Sequence, residues 1–449
     1  MTYRLVRALT RLLLWLFYGR VDVAGRERIP AAGGVVVAAN HHNSVVDAML
    51  IVAVFPRPVT VLANAPLFRH PLIGPFLRMM GAVPVQRRAE AGDDPRKNDA
   101  MFASAIGALR GGGAVLIFPE GRTQPQPVLL PLRTGAARMV LGAANDPGEG
   151  RPVTLLPVGI VFHDPGTFRS GSVQVMIGAP VPVADAVEAH RTHPEDAVRL
   201  LTARLGEGIR ARIVEAEDRY TLDLLAVLER AWWEEEARAH PGAAAVPDDE
   251  QSLSWKQRVM NGARALAGRD PQRVADLRHR VELYRSHLDA LGIAAERLGR
   301  PYTARGVVTY VLTNLSWLVL GLPLALWGFV SHALPYVATG WVVKRLGRTA
   351  EEDATDKIAV GLVLYPLAWG GEGWLVGRMG GGWWTAAFAA LLVPSGLLAL
   401  AWRERLGEVA GQARAFFAFL ADREVGQRLL DERRRLVDEL RAMAELHAG

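Results

Sequence analysis

The sequence predicts a layered α/β domain with helices on both faces of its sheet, followed by a helical region and C-terminal transmembrane helices. Between residues 33 and 180, short apolar runs without polar alternation are separated by segments of helical composition, which is typical of strands covered on both faces. Farther along, 38 consecutive uncharged residues follow Arg305 and 24 follow Arg378, and both lengths suit membrane helices. The apolar runs predict strands at residues 35–39, 59–63, 82–85, 114–118, 153–162 and 173–177.

The composition excludes several classes of protein. Half of the 449 residues are apolar and the net charge is only +6, which excludes a disordered tail protein and a coiled coil. The chain has no cysteine, so a disulfide-stapled fold, a cysteine nucleophile and thiolate metal sites are excluded. The histidines lack HExxH spacing, so no metal site is expected. The long apolar runs favour a lipid bilayer over nucleic acid as the partner of the basic surplus.

The pattern divides into five segments. Residues 1–30 begin with an amphipathic helix whose Arg4, Arg7 and Arg11 share one face, and we expect it to lie at a membrane interface rather than to be cleaved as a secretory signal. Residues 31–184 form the α/β domain, 185–300 a helical region, 301–405 the membrane segments and 406–449 a C-terminal cytoplasmic helix.

The membrane part contains three apolar runs. The first is too long for one span and contains Pro323, which favours a bent hairpin or a re-entrant pair. The second, at 358–371, stops at Glu372, and the third, at 379–402, spans easily. Basic residues join the first two runs and follow the third, namely Lys344, Arg345, Arg348, Lys357, Arg403 and Arg405. The positive-inside rule therefore predicts a multi-pass protein of the cell membrane with its α/β half on the cytoplasmic face.

The first strand is followed by the sequence Asn40-His41-His42-Asn43-Ser44-Val45-Val46-Asp47. An imidazole followed by a carboxylate at a strand-to-helix turn predicts a general base, His42, with Asp47 as its orienting group. A rival interpretation is that the polar residues only cap the helix. Because no G-x-S-x-G nucleophile motif accompanies the pair, the base is expected to act directly on a substrate hydroxyl.

A second polar motif, Pro119-Glu120-Gly121-Arg122-Thr123, follows the strand at 114–118. A glycine lets the backbone approach a ligand, an arginine offers a planar fork for phosphate, and a threonine adds a hydroxyl donor. Together with the histidine and the carboxylate, this motif predicts an anion site that faces a general base.

These motifs resemble those of the glycerolipid acyltransferase superfamily, which includes glycerol-3-phosphate and lysophosphatidic acid acyltransferases. The matching stretches are residues 42–47, 67–74 leading to 81–88, 118–123 and 155–159, and residues 131–136 resemble the family's basic-residue-plus-glycine element. The resemblance implies transfer of a fatty acyl group from an acyl thioester to a hydroxyl of a glycerol phosphate or lysophospholipid in phospholipid synthesis. Coenzyme A or acyl carrier protein would carry the acyl group, and no cofactor is implied.

The resemblance also implies roles for individual residues. His42 would take the proton from the acceptor hydroxyl while Asp47 orients it, and Pro157 would shape the acyl-donor side. The acceptor phosphate would be held by Glu120, Gly121, Arg122 and Thr123, with further positive charge from Arg87 and Arg133.

One departure from the family leaves the identity of the base open. The family places Asn directly before the catalytic His, so alignment on Asn40 selects His41, whereas alignment on Asp47 selects His42. The spacing favours His42, and His41 is the alternative. The rival functions are an acyl-thioester or ester hydrolase, and a catalytically inactive membrane scaffold or transporter of the same fold.

Overall fold

The computed structural model describes residues 2–70, 73–86, 98–144, 152–163, 168–169, 171–240, 247–291, 304–346, 352–421 and 423–448. Its contacts divide the chain into two compact units. The first comprises residues 1–219 and 347–359, and the second comprises residues 220–346 and 360–449.

Seven strands of the first unit form one sheet. They are β1 (Arg20–Ala24), β2 (Gly34–Ala39), β3 (Val59–Asn64), β4 (Val83–Val85), β5 (Ala114–Ile117), β6 (Val153–His163) and β7 (Ser172–Ile177). Their order across the sheet is β1, β7, β6, β2, β5, β3, β4, and every neighbouring pair is parallel except β6 with β7. Strand β1 lies within the segment 1–30, which the sequence assigned to an interfacial helix. The sequence did not predict this strand because its polar Arg20 and Asp22 interrupt any apolar run.

Helices cover both faces of the sheet, as the sequence predicts. Along the central strand β2, Val35, Val37 and Ala39 belong to one core, and Val36 and Ala38 belong to the other. The first core is completed by α1 (Thr2–Phe17), α2 (Ser44–Val54) and α3 (Ile73–Met79). The second is completed by α4 (Asp99–Arg110), α5 (Gly135–Ala144), α6 (Ala184–Ala189) and α7 (Pro194–Arg210). A strand buried on both faces needs an apolar side chain at every position, which explains its uninterrupted apolar run.

Helix α1 packs on α2. Its buried residues are Val6, Thr10, Leu14 and Phe17, whereas Leu5, Leu9, Leu12 and Trp15 are exposed. Arg11 Nε and Arg7 Nη2 donate to the carbonyl oxygen of Ala53, at 2.9 and 3.5 Å, near the end of α2. Basic side chains favour the negative end of a helix, where carbonyl groups lack partners within the helix. Two of the three arginines expected to face a membrane therefore hold α1 against α2, and the interfacial role of this helix stays a prediction.

Helix α7 and the residues after it also belong to the first unit. Its Leu201, Leu205 and Ile209 are fully buried in the second core. A Cβ atom at Gly159 in β6 would lie 2.2 Å from the backbone oxygen of Arg212, so only glycine allows the chain after α7 to approach the strand this closely. This contact accounts for the glycine of the motif at 155–159.

The second unit is helical. Its elements are α8 (Arg219–Ala239), α9 (Asp249–Ala267), α10 (Pro271–Leu291), α11 (Ala304–Leu346), α12 (Asp353–Gly380), α13 (Gly382–Ala421) and α14 (Arg423–Ala448), although the contact division leaves Arg219 and residues 353–359 with the first unit. Arg433 of α14 is fully buried and pairs with Glu234 and with Glu235, whose Oε1 lies 2.8 Å from the arginine Nε. These two acids of α8 thus form ion pairs within this unit.

Among the residues that the structure describes, three helices are long and apolar enough to cross a membrane, namely α11, α12 and α13. The first apolar run lies within a single helix of 43 residues that contains Pro323 and Pro335, so the expected hairpin or re-entrant pair is wrong. A proline removes one hydrogen bond from an apolar helix, whereas a chain reversal would leave several backbone groups without partners. Helices α11 and α13 run antiparallel, since Arg405 Nε donates to Asn314 Oδ1 at 2.6 Å and Trp402 Nε1 to the Leu318 oxygen at 2.8 Å.

Candidate active site

Two polar segments meet at one edge of the sheet. One is the turn between β2 and α2, and the other is the loop after β5, here called the site loop (residues 118–130). Strands β2 and β5 are parallel neighbours, with Ala38 paired to Ile117, so both segments leave the same edge. Two hydrogen bonds of the His41 backbone join them: Gln124 N donates to the His41 oxygen at 3.2 Å, and His41 N donates to Glu120 Oε1 at 2.8 Å.

The carboxylate of Asp47 organises the turn. This side chain is fully buried, and its Oδ2 lies 2.8 Å from His41 Nδ1. The same oxygen accepts hydrogen bonds from the backbone N–H of His42 at 2.9 Å and of Asn43 at 2.7 Å. Ser44, the first residue of α2, has a φ of 46°, which L-residues rarely adopt. Asp47 therefore stabilises a strained turn and the ring of one histidine at once.

His41 has the geometry of a general base. Its ring stacks on Phe118, with ring centroids 4.0 Å apart and planes at 11°. Its side chain is 15% exposed. When Nδ1 carries the proton and donates it to Asp47, Nε2 is left as the nitrogen that can accept a substrate proton.

His42 has a different environment, which corrects the expected pairing of its ring with Asp47. Its Nδ1 lies 3.0 Å from the backbone oxygen of Gln124, and the residue is 8% exposed. Burial lowers the pKa of His42, and the positive charge of Arg219 adds to the lowering. Because α2 begins at Ser44, the carboxylate one turn later reaches back to the amide of His42 and past it to the ring of His41.

Glu120 was expected to help hold a substrate phosphate, but its side chain is buried and both of its oxygens accept hydrogen bonds from the backbone. It is 3% exposed, and its oxygens accept hydrogen bonds from His41 N at 2.8 Å and Leu130 N at 2.9 Å. Burial raises the pKa of this carboxyl to about 7, although the two amides favour its charged form. Glu120 therefore ties both ends of the site loop to the turn.

The structure brings Gly121 and Arg133 together and leaves two arginines at the surface. Gly121 has a φ of 71°, and a Cβ atom there would lie 2.6 Å from Arg133 Nε. Arg122 and Arg133 are both exposed, and Thr123 is half-buried. Planar guanidinium groups beside a glycine are suited to binding a phosphate. Arg87, the further predicted cation, lies outside the described residues.

Pro157 lies inside the sheet. It is buried in β6, paired with Ala38 of β2. Cβ atoms at Gly178 and Gly208 would lie 2.9 and 3.0 Å from its Cγ, so the ring fills a space that two glycines leave open. Any effect of Pro157 on the acyl donor would have to pass through this packing.

Several residues that support the site carried no recognisable signal in the sequence. Gln124 contacts both histidines through its backbone. Beyond α7, Glu215 Oε1 accepts from Leu129 N at 2.9 Å, Ala216 N donates to the Pro127 oxygen at 3.0 Å, and Arg219 Nε donates to the Pro125 oxygen at 3.2 Å. These three contacts, here called the loop clamp, join the site loop to a segment much later in the chain. Leu129 and Glu215, for example, are 86 residues apart.

The arrangement can deprotonate a hydroxyl group on an anionic molecule. It combines an oriented imidazole with exposed guanidinium groups at one edge of a sheet. Within the part of the chain that the structure describes, no group of three or more histidines and acids is placed to hold a metal ion.

Comparisons with known proteins find similarity to acyltransferases. The family model described as Acyltransferase matches residues 20–161. A 1-acyl-sn-glycerol-3-phosphate acyltransferase from Bacillus subtilis is 30% identical over 209 residues, which cover 45% of this chain and 90% of the relative. A protein of the same name from Borreliella burgdorferi is 29% identical over 171 residues, covering 38% of this chain and 65% of the relative. Glycerol-3-phosphate O-acyltransferase 2 from Saccharomyces cerevisiae is 28% identical over 198 residues, covering 44% of this chain and 25% of the relative.

The α/β fold, the histidine and carboxylate at the strand-to-helix turn and the matched region define an acyltransferase. The chain belongs to the glycerolipid acyltransferase superfamily. Its chemistry is acyl transfer of the kind used in phospholipid biosynthesis.

The raised pKa of Glu120 predicts a specific pH dependence of stability. Because its folded-state pKa of about 7 exceeds the ordinary value of 4.5, the folded protein binds more protons than the unfolded chain between these pH values. The stabilisation from protonated Glu120 is therefore complete below pH 4.5 and is lost as the pH rises through 7. In Glu120→Gln this titration is absent, so the melting temperature of the variant should rise relative to that of the wild type as the pH increases across this range.

Thermal unfolding of the purified chain at a series of pH values measures this difference. Glu195→Gln is the control, because Glu195 is a highly exposed acid of α7 whose loss removes the same charge. If the melting temperatures of the wild type and of Glu120→Gln changed with pH in parallel, the prediction would be contradicted.

Proposed function

We propose that this chain transfers a fatty acyl group from an acyl thioester to a hydroxyl of a glycerol phosphate or lysophospholipid, with His41 as general base and Asp47 as its orienting group. The observation that carries the proposal is the 2.8 Å contact between His41 Nδ1 and Asp47 Oδ2. Of the two histidines that the sequence left open, His41 is the one whose ring contacts the carboxylate. It is also the more exposed of the two.

The proposed reaction has one proton cycle. His41 Nε2 takes the proton of the acceptor hydroxyl while that oxygen attacks the thioester carbonyl carbon. The carbon–sulfur bond of the tetrahedral intermediate then breaks, and the imidazolium returns the proton to the leaving thiolate. Asp47 stabilises the imidazolium between these steps, and typical general-base contributions are about 10²–10⁴-fold in rate. No cofactor takes part in this scheme, and the donor is acyl-CoA or an acylated carrier protein.

The acceptor is proposed to carry a phosphate. Arg122 and Arg133 are exposed, the first next to Gly121 in the chain and the second against it in space, so one phosphate can meet two guanidinium groups. The names of the relatives support this class of acceptor, because both glycerol-3-phosphate and its 1-acyl derivative bear a phosphate.

The chain is further proposed to be a multi-pass protein of the cell membrane with its catalytic unit on the cytoplasmic face. The candidate spans among the described residues support membrane insertion. Lys344, Arg345 and Lys357 lie where α11 ends and α12 begins, and residues 353–359 of α12 belong to the catalytic unit. The positive-inside rule favours the cytoplasmic face for this group of basic residues, and therefore for the catalytic unit.

Substitution of the histidines tests the assignment of the base. His41→Ala should lower the rate of acyl transfer by about 10²-fold or more, because it removes the proton acceptor, and Asp47→Asn should also lower it strongly. His42→Ala should retain most of the rate. Release of free thiol from acyl-CoA, measured with glycerol-3-phosphate, with 1-acyl-glycerol-3-phosphate and with neither, reports the activity.

Two outcomes would contradict the proposal. Loss of activity in His42→Ala with retention in His41→Ala would identify His42 as the base. Equal thiol release with and without an acceptor would show a hydrolase instead of a transferase.

Kinetic constants of arginine variants test the phosphate site. Arg122→Ala and Arg133→Ala should each raise the KM for the acceptor by about tenfold or more, because a charge-assisted hydrogen bond to phosphate is lost, and leave the KM for the donor within about twofold. Arg199→Ala removes an exposed arginine of α7 and serves as the control. If the two KM values rose equally, Arg122 and Arg133 would not be acceptor ligands.

Cysteine labelling tests the orientation, since the chain has no cysteine of its own. Glu195→Cys places a thiol on the exposed surface of the catalytic unit, and Gly382→Cys places one at the turn between α12 and α13. In intact cells a membrane-impermeant maleimide should label the thiol at 382, and it should label the thiol at 195 only after permeabilisation. The reverse pattern would overturn the proposed orientation.

A further inference from the structure

Tyr18 is a buried tyrosine whose hydroxyl reaches the catalytic turn. It directly follows α1, and its backbone N–H donates to the Leu14 oxygen at 2.8 Å. The residue is 1% exposed, and its ring contacts those of Phe17 and Phe162 at centroid distances of 5.1 and 6.0 Å. Its hydroxyl accepts a hydrogen bond from Asn43 Nδ2 at 3.0 Å.

Asn43 connects this hydroxyl to the carboxylate that orients the base. Its backbone N–H donates to Asp47 Oδ2 at 2.7 Å, and the same oxygen contacts His41 Nδ1 at 2.8 Å. Asn43 is 2% exposed, so water has little access to either of its hydrogen bonds. A continuous path of three contacts thus runs from the Tyr18 hydroxyl to the His41 ring.

The turn needs such external support. Asn43 is the N-cap residue of α2, yet its side chain makes no capping hydrogen bond, because its amide faces Tyr18. Asparagine is among the best capping residues, so this arrangement gives up a common source of helix stability. Ser44, the next residue, has a φ of 46°. Strained backbone of this kind persists only where surrounding contacts hold it in place.

We propose that Tyr18 is a positioning residue for acyl transfer: its hydroxyl fixes Asn43, which holds the Asp47 carboxylate in the direction that orients the His41 ring. This inference rests on the proposed function of His41 and Asp47. It gives α1 a role in catalysis, because the residue that ends this helix also holds the catalytic turn.

Tyr3 supplies a matched control at the other end of the same helix. Its hydroxyl accepts a hydrogen bond from the backbone N–H of Val59 at 3.0 Å, at the start of β3. Each hydroxyl therefore accepts a hydrogen bond from an N–H group of another element, Val59 of β3 for Tyr3 and Asn43 of the turn for Tyr18. Only the hydroxyl of Tyr18 contacts the turn. Comparing the loss of the Tyr18 hydroxyl with the loss of the Tyr3 hydroxyl therefore distinguishes a positioning role from simple anchoring of the helix.

The test compares Tyr18→Phe with Tyr3→Phe in the purified full-length chain in detergent micelles, with acyl-CoA and 1-acyl-glycerol-3-phosphate as substrates. Tyr18→Phe should lower kcat by about tenfold, the effect of one lost hydrogen bond in the reacting geometry, with both KM values within about twofold of the wild type. Tyr3→Phe should leave kcat within about twofold. Equal kcat values for the two variants would overturn the proposal.

A double-substitution cycle tests the path through Asn43. If Tyr18 acts through this residue, Tyr18→Phe combined with Asn43→Ala should lower kcat no further than the more damaging single change. If the double variant lowered kcat by the product of the two single reductions, the proposed path would be overturned. Should Tyr18→Phe fail to fold, Asn43→Ala alone decides: a lower kcat with unchanged KM values supports the proposal, and an unchanged kcat overturns it.

His41→Ala in the same assay distinguishes this inference from the proposed function. If His41→Ala keeps its activity, the assignment of the base is wrong. If it is inactive while Tyr18→Phe matches Tyr3→Phe, only the positioning role is wrong.

Discussion

The buried carboxylate of Asp47 is the group on which the geometry of the site depends. A charge removed from water is costly unless hydrogen-bond donors replace the lost hydration. Here one oxygen receives two backbone N–H groups and faces the Nδ1 atom of His41, and the residue lies in the first turn of α2, where the helix dipole favours negative charge. The donors that stabilise this charge are the groups whose positions define the turn. The orientation of His41 and the conformation of the backbone therefore arise from the same contacts.

Two acids close together at the edge of the sheet have different roles because their surroundings differ. Asp47 receives three contacts on one oxygen, including that of the His41 ring. Glu120 receives one amide on each oxygen, and burial raises its pKa to about 7. The first acid contacts the ring of His41, the proposed base, whereas the second connects the site loop to the turn that carries this histidine. The resemblance to a family cannot show this division, because both residues belong to its motifs.

Much of the fold could be predicted from the sequence because burial leaves a direct trace in it. Central strands such as β2 are covered on both faces, so their runs are wholly apolar, and helices between them follow from length and composition. The edge strand β1 left no such trace, and neither did the continuity of α11 through two prolines. In the site, the sequence indicated the two segments that the structure brings together, but its spacing favoured His42, whereas the structure decides for the ring of His41 as the contact of Asp47. The decision depends on side-chain directions at a turn where Ser44 has a positive φ, and a residue count contains no information on those directions.

The supports of the site come from both sides of the region that matches the family. The matched region begins at residue 20 and ends at residue 161. Tyr18 precedes it and holds the catalytic turn through Asn43, whereas the loop clamp of Glu215, Ala216 and Arg219 follows it and holds the site loop. The turn and the loop contact each other through Gln124 and Glu120, so a displacement on either side would reach the other. The matched core thus contains the proposed reacting groups, and segments on both sides of it contact the turn and the loop that carry them.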